Sequence, residues 1–255
     1  MNEISLNTLF CGREHLHFER IDSTNTEAQK LCKKNDIKEG LLITAQIQQL
    51  GRGYSGNKWV SEAGKNITMT LVLKPTFLKA KCQFYLNQAV TLGIHDMLSN
   101  KLSAQSLKIK WPNDIFYEGK KLCGILIENI LQGEFLQYSF IGIGLNVNQS
   151  KFPDDLKYAT SLALITEAEY EINLLIASLC ECIEARYLQL KNDNITVLQN
   201  DYMRHLFRLE EWRDYFVNGK KIEGRIMSLN AEGKLRLETK IGIKEFGFKE
   251  IEFVI

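Results

Sequence analysis

The 255-residue sequence is short of the patterns that carry several common chemistries. No apolar run approaches the ~18 residues of a membrane-spanning helix, so a membrane partner is not expected. The opening residues, MNEISLNTLFCGRE, hold no basic start followed by an apolar core, so a secretory signal is not expected either. Four histidines are too few and too scattered for a metal centre. His15 and His17 form a spaced pair, which a strand or turn explains more simply than a ligand role. Six cysteines without a C-x-x-C read as free thiols in a reducing cytosol, and the expected location is cytoplasmic. There is no Ser–His–Asp cue, no zinc pattern and no context for a reactive cysteine. A formal charge of +1 offers no global electrostatic case for a nucleic-acid partner. Internal repeats, low-complexity segments and Gly/Ser linkers are also missing. The rest is ordinary for a globular chain, with 45% apolar and 25% charged residues. The length suits one large domain, or one domain with a small appendage.

What the chain does have is concentrated in residues 46–73, QIQQLGRGYSGNKWVSEAGKNITMTLVL. At the centre lies the loop Gly51-Arg52-Gly53-Tyr54-Ser55-Gly56. Its glycines let the backbone reach positive φ and approach a ligand closely. Its N–H groups can form an anion-binding nest, and Arg52 adds a charged fork suited to phosphate or carboxylate. A plain hairpin or surface turn is the competing reading. A Rossmann turn would open a helix, with an acidic residue roughly 20 positions on. A P-loop needs Lys directly after the last glycine, but Asn57 intervenes and Trp59 follows Lys58. The stretch is therefore a strand–glycine loop–strand phosphate candidate.

The remaining pattern predicts an α+β fold. Residues 16–21 read as a strand, followed by Asp22-Ser23-Thr24-Asn25 and an amphipathic helix. Ser23 or Thr24 either caps that helix or helps present its free N–H groups to an anion. Strands are predicted over 40–47 and 67–73, and a helix over 84–102. Residues 107–117 alternate like a strand broken at Pro112, residues 118–121 form a hairpin turn, and 122–130 and 135–145 return as strands. Gly124 is placed for close backbone approach. A helix start near 159–162 and helices over 171–190 and 195–207 follow. From residue 217, short strands separated by turns at Asn218-Gly219, 230–233 and Gly242 predict a small β barrel. The expected architecture is a mixed or antiparallel sheet covered by helices, followed by a small all-β module.

The polar residues gather at strand ends and turns. Such a set supplies cations, amides and one carboxylate without an obvious nucleophile. That composition suits a reaction in which the protein positions phosphates and the substrates supply the nucleophile. Asp114 either orients an attacking amine, helps hold Mg²⁺ with substrate phosphates, or caps the turn after Pro112-Asn113. Lys121 either stabilises charge on a phosphate or carboxylate or is a solvated turn lysine, like Lys120 beside it. Trp59 and Trp111 read as core residues or as ligand walls.

Taken together, these segments resemble the biotin–protein ligases, or biotin–[acetyl-CoA-carboxylase] ligases. The resemblance is carried by IDSTN at 21–25, GRGxxGxxW at 51–59, KWPND at 110–114, KLCGIL at 121–126 and GIGLNVN at 142–148. It spans about residues 15 to 165 in order and spacing. It implies a class II synthetase-like catalytic domain over 1–208 and an SH3-like β domain over 209–255. It further implies activation of biotin by ATP and Mg²⁺ to biotinyl-5′-AMP. Biotin then passes to a lysine of a biotin carboxyl carrier protein. Carried over by motif position, Ser23, Thr24, Asn25, Gln48, Arg52, Gly53, Tyr54, Lys121 and Gly124 would line the biotin site. Gly51, Arg52, Gly53, Gly56, Trp59, Asn113 and Asn146 would meet the nucleotide. Arg52, Lys121, Asp114 and Lys110 would be the catalytic candidates. No metal ligand is assigned, since Mg²⁺ would be held mainly by substrate phosphates, and no tightly bound prosthetic group is implied. Tyr54 stands where many family members carry a second arginine, which puts a guanidinium contact there in doubt. The IDSTN junction comes too early for an N-terminal DNA-binding domain, so a ligase-only form without nucleic-acid binding is expected. A lipoate or octanoate ligase and a non-catalytic biotin sensor are the rival readings. A homodimer through an exposed sheet edge stays open.

Overall fold

The computed structural model describes residues 6–34, 36–53 and 56–254. Seven strands form the main sheet: β1 (His15–Ile21), β2 (Leu42–Gln48), β3 (Ile67–Leu73), β4 (Leu107–Lys110), β5 (Asp114–Tyr117), β6 (Lys120–Gln132) and β7 (Phe135–Leu145). Their spatial order is β1-β2-β3-β7-β6-β5-β4. Only β1 and β2 run parallel, and every other pairing is antiparallel. The sheet is therefore mixed, as the sequence pattern predicts. β3 lies between β2 and β7 with all its residues buried, which is why ITMTLVL is a near-continuous apolar run. Glu118 and Gly119 turn β5 into β6 with φ of 48° and 76°, a conformation glycine reaches easily.

Helices cover the two faces unequally. α2 (Gln83–Ser99) and α4 (Ile172–Lys191) pack against each other on one side, joined by α5 (Ile195–Arg204). Gly93 permits the close α2–α4 crossing: a Cβ there would lie 2.7 Å from the Ile183 Cα. The other side carries α1 (Thr24–Lys34), whose Ala28 packs with Ile43, Val72 and Phe140. α1 leaves part of that face uncovered, and the cavity described below opens there. The short α3 (Leu162–Thr166) is capped by Ser161, whose hydroxyl accepts from the Leu164 N–H at 3.2 Å.

The C-terminal module is a five-stranded antiparallel sheet of β8 (Trp212–Val217), β9 (Lys220–Leu229), β10 (Leu235–Thr239), β11 (Gly242–Phe246) and β12 (Glu252–Phe253). It matches the expected small SH3-like module, but its strands begin at Trp212 rather than after residue 217. No glycine or proline announces β8, and its central Arg213-Asp214 interrupts the apolar pattern. The module's buried Tyr215, Ile226 and Leu237 belong to the same core cluster as the main sheet. Trp111 joins the two parts, its Nε1–H donating to the Gly233 carbonyl at 2.9 Å. Among the described residues no helix is long and apolar enough to cross a membrane.

Candidate active site

At the N-terminal end of α1 the chain leaves β1 and must satisfy the free N–H groups of the helix. Gln48, at the end of β2, does part of this: its Oε1 accepts from the Thr24 N–H at 2.8 Å and lies 3.1 Å from the Thr24 hydroxyl. The Thr70 hydroxyl on β3 lies 2.8 Å from Thr24 Oγ1 and 2.6 Å from Asn25 Oδ1. Ser23, Thr24 and Asn25 are all buried at the cavity wall. The result is a patch of hydroxyls and amides held in fixed directions by their neighbours.

The floor is built from glycines. Cross-strand pairs Gly124–Gly144 and Leu126–Gly142 bring three glycines onto the cavity face of β6 and β7. A Cβ on Gly144 would lie 2.3 Å from the Trp59 indole, and one on Gly142 would lie 2.5 Å from Asn25 Oδ1. A Cβ on Gly124 would lie 3.1 Å from both Trp59 and Lys121. The missing side chains thus make room for Asn25 at one end and Trp59 in the middle. Of the two tryptophans read as core or ligand wall, Trp111 is buried in the core and also borders the cavity, while Trp59 lies over this floor.

The described residues on either side of the glycine loop bond to one another. The Gly53 N–H donates to the Asn57 carbonyl at 2.7 Å, and the Trp59 N–H to the Gly51 carbonyl at 2.9 Å. Gly51 cannot carry a Cβ, because it would stand 2.4 Å from the Trp59 carbonyl. The Gly53 N–H is thus spent on the Asn57 carbonyl. The loop still delivers Arg52, Gly53 and Trp59 to the cavity. Tyr54 lies outside the described residues.

Cations and a carboxylate close the other end. Lys121 Nζ stands 2.7 Å from Asp114 Oδ1 and 5.9 Å from the centre of the Trp59 indole. Lys110 is paired with Asp114 in the β4–β5 register. Its ammonium sits 5.4 Å from the Phe116 ring and 4.9 Å from the Phe253 ring. Burial pushes the Lys110 pKa below the usual lysine range, partly offset by the nearby Asp114. Phe253 belongs to β12, so the C-terminal module forms part of the wall.

The cavity so enclosed has a volume of about 370 Å³. It gathers Ser23, Thr24, Asn25, Gln48, Arg52, Gly53, Trp59, Lys110, Asn113, Asp114, Lys121 and Gly124 from the sequence candidates. Gly51, Gly56 and Asn146 do not line it. The Asn146 amide is spent on the Thr160 carbonyl at 2.9 Å, which pins the segment leading into α3. Asn113 lines the cavity while its amide donates to the Ile125 carbonyl at 2.5 Å, tying β5 to β6. Sequence reasoning missed Thr70, Gly142, Gly144 and the β12 wall. It also missed Glu128, which receives Asn25, Gln29 and Arg52 just beyond the end of the floor. A Gly-x-Gly at 142–144 within an otherwise apolar strand was the one available signal for the floor.

Solved structures and curated relatives place this architecture. A biotin protein ligase from Aquifex aeolicus, in complex with biotin and ATP, superposes with a TM-score of 0.78. The match covers 95% of this chain and 99% of that one at 24% identity, so the fold is that of the biotin protein ligases. The chain belongs to the Biotin/lipoate A/B protein ligase family, whose model matches residues 17–146. A bifunctional ligase/repressor BirA from Bacillus spizizenii is 34% identical over 266 residues, covering 97% of this chain and 76% of the relative. A biotin–[acetyl-CoA-carboxylase] ligase from Mycobacterium tuberculosis is 26% identical over 220 residues, covering 85% and 80% of the two chains.

Proposed function

We propose that the chain is a biotin–protein ligase. The biotin carboxylate attacks the α-phosphate of ATP, forming the carboxyl–phosphate bond of biotinyl-5′-AMP and releasing diphosphate. A lysine amine of a biotin carboxyl carrier protein then attacks the acyl carbon, forming the amide and releasing AMP and a proton. The observation that carries this reading is the graded polarity of one cavity: amides and hydroxyls at one end, a glycine and indole slot in the middle, and lysines at the other. A ureido ring offers N–H donors and a carbonyl acceptor to the Ser23–Thr24–Asn25–Gln48 patch. Lipoyl and octanoyl groups offer neither, and would leave those buried polar groups unpaired at a cost. The names of the curated relatives support the same substrate and a carboxylase carrier as partner.

Within that reading, Lys121 neutralises charge as the carboxylate and phosphate meet. Asp114 holds Lys121 in place and is the carboxylate nearest to an incoming amine. Lys110, its charged form weakened by burial, faces the same end. Arg52 and Gly53 carry the glycine loop over the substrate and limit access of water to the mixed anhydride. Mg²⁺ would enter with the phosphates of ATP and lower their charge, with Asp114 and Glu252 as the carboxylates lining the cavity. Asn113 and Trp59 belong to the nucleotide side of the same proposal, and Tyr54 to its biotin side by position in the loop. The division at 208/209, a cytoplasmic location consistent with the free thiols, and the lack of a nucleic-acid partner are parts of this reading. So is a homodimer through an exposed sheet edge.

Diphosphate release without a carrier protein tests the proposal. Release with biotin, and not with lipoate or octanoate, is expected. Release with lipoate instead would overturn the substrate assignment. Biotin binding with no release from any acid would make the protein a sensor.

A further inference from the structure

Glu128 stands on β6 one cross-strand pair beyond the glycine floor, opposite Phe140. Its Oε2 accepts from Asn25 Nδ2 at 2.9 Å and from Gln29 Nε2 at 3.1 Å. Its Oε1 lies 2.5 Å from Arg52 Nη2. One carboxylate therefore gathers α1, β6 and the glycine loop. It does not itself line the cavity, so it acts through Asn25 and Arg52.

An ionised carboxylate only accepts hydrogen bonds. Whatever faces Glu128 must donate, which turns the Asn25 Nδ2 toward it and leaves Oδ1 facing Thr70. The Asn25 amide thus has one orientation: Thr70 donates to its Oδ1, which leaves the Thr24 hydroxyl to donate to Thr70. On the other side, Arg52 is attached to the sheet by its guanidinium, although its side chain is 46% exposed. Charge-assisted contacts of this kind are roughly twice as strong as neutral ones.

We propose that Glu128 is a positioning residue for the adenylation site. It sets the hydrogen-bonding direction of the biotin-binding patch and fastens the glycine loop beside it. The inference rests on the reading of the cavity as that site. A glutamine at 128 keeps the shape but turns an amide donor toward Asn25, Gln29 or Arg52, and one of them must let go.

The test compares wild type, Glu128→Gln, Arg52→Ala and the double variant. The readouts are KM and kcat for biotin in diphosphate release, dissociation of biotinyl-5′-AMP, and trypsin cleavage after Lys58. Glu128→Gln should raise KM and the dissociation rate by about tenfold each, the loss of one charge-assisted bond, with kcat nearly unchanged. Cleavage after Lys58 should quicken at an unchanged unfolding midpoint. The double variant should lose the intermediate faster than Arg52→Ala alone but by less than the product of the two single losses, because the Glu128–Arg52 contact is common to both. Additive losses, or wild-type KM, retention and cleavage in Glu128→Gln, would overturn the proposal. Should Glu128→Gln unfold, Glu128→Asp, which keeps the charge but shortens the reach, is read on the same scale. If the wild type releases no diphosphate with biotin, the adenylation reading falls, and the cleavage readout still decides for Glu128.

Discussion

Gly144 carries no side chain because the Trp59 indole occupies that space. Gly144→Ala must therefore displace Trp59 or bend β7. Overpacking of this kind costs about 1–3 kcal/mol, so KM for biotin should rise by roughly tenfold or more in steady-state assays. A KM within twofold of wild type would show that the slot tolerates a methyl group. Lys121→Ala removes the counter-charge beside Asp114 and should slow biotin-dependent ATP–diphosphate exchange by about 100-fold or more. Normal exchange would remove Lys121 from the first half-reaction. At this scale the sequence was informative wherever a residue's own chemistry announced it. Arg52, Lys121 and Asp114 are charged residues within motifs, and Gly124 sits where only close approach explains a glycine. Glu128 was silent, since a polar residue in Ile127-Glu128-Asn129-Ile130 looks like any exposed strand position. Its meaning comes from α1 and the loop, both distant in sequence.

The helical layer depends on two polar contacts that lie far from the cavity. Arg186 on α4 donates from Nε to Asp96 on α2 at 2.6 Å and from Nη1 to Asp201 on α5 at 2.8 Å. His95 on α2 stacks on His205 at the end of α5, with ring centres 3.9 Å apart. Burial pushes the His95 pKa down to about 4, and burial lowers that of His205 as well. The native state thus prefers both rings neutral, while the unfolded chain protonates near the ordinary value of 6.5. Between those values the unfolded state binds more protons, so stability rises with pH and is lost as pH falls from about 6.5 toward 4. His95→Leu should flatten the unfolding midpoint across that window in calorimetry. An unchanged slope would assign the acid sensitivity to other groups. The elements themselves were largely legible, because long apolar runs and turn residues are local signals. Asn218-Gly219, with φ of 49° and 71°, is one such turn. β12 was not legible: a two-residue strand is too short to show a period, and its pairing with β8 accompanies the distant Tyr215–Phe253 contact.

Across the whole molecule, the C-terminal module is fastened to the main sheet at Trp111, Gly233, Phe84 and Phe248. Trp111→Phe keeps the apolar contacts and deletes the bond to the Gly233 carbonyl. A loss of about 1–2 kcal/mol is expected for an unpaired buried acceptor. That corresponds to a drop of roughly 2–8 °C in the unfolding midpoint. No change would place the attachment in the aromatic contacts alone. The three tryptophans are spread over this framework in three different settings. Trp111 is locked between the modules at 2% exposure, and Trp212 lies on the outer module at 43%. Trp59 rests on the glycine floor of the cavity. The protein's own ultraviolet emission is therefore divided between one outer indole, Trp212, and two that border the cavity, Trp59 and Trp111. With Trp212 replaced by phenylalanine, a change in that emission on adding biotin would report occupancy of the slot directly, without label or coupled assay.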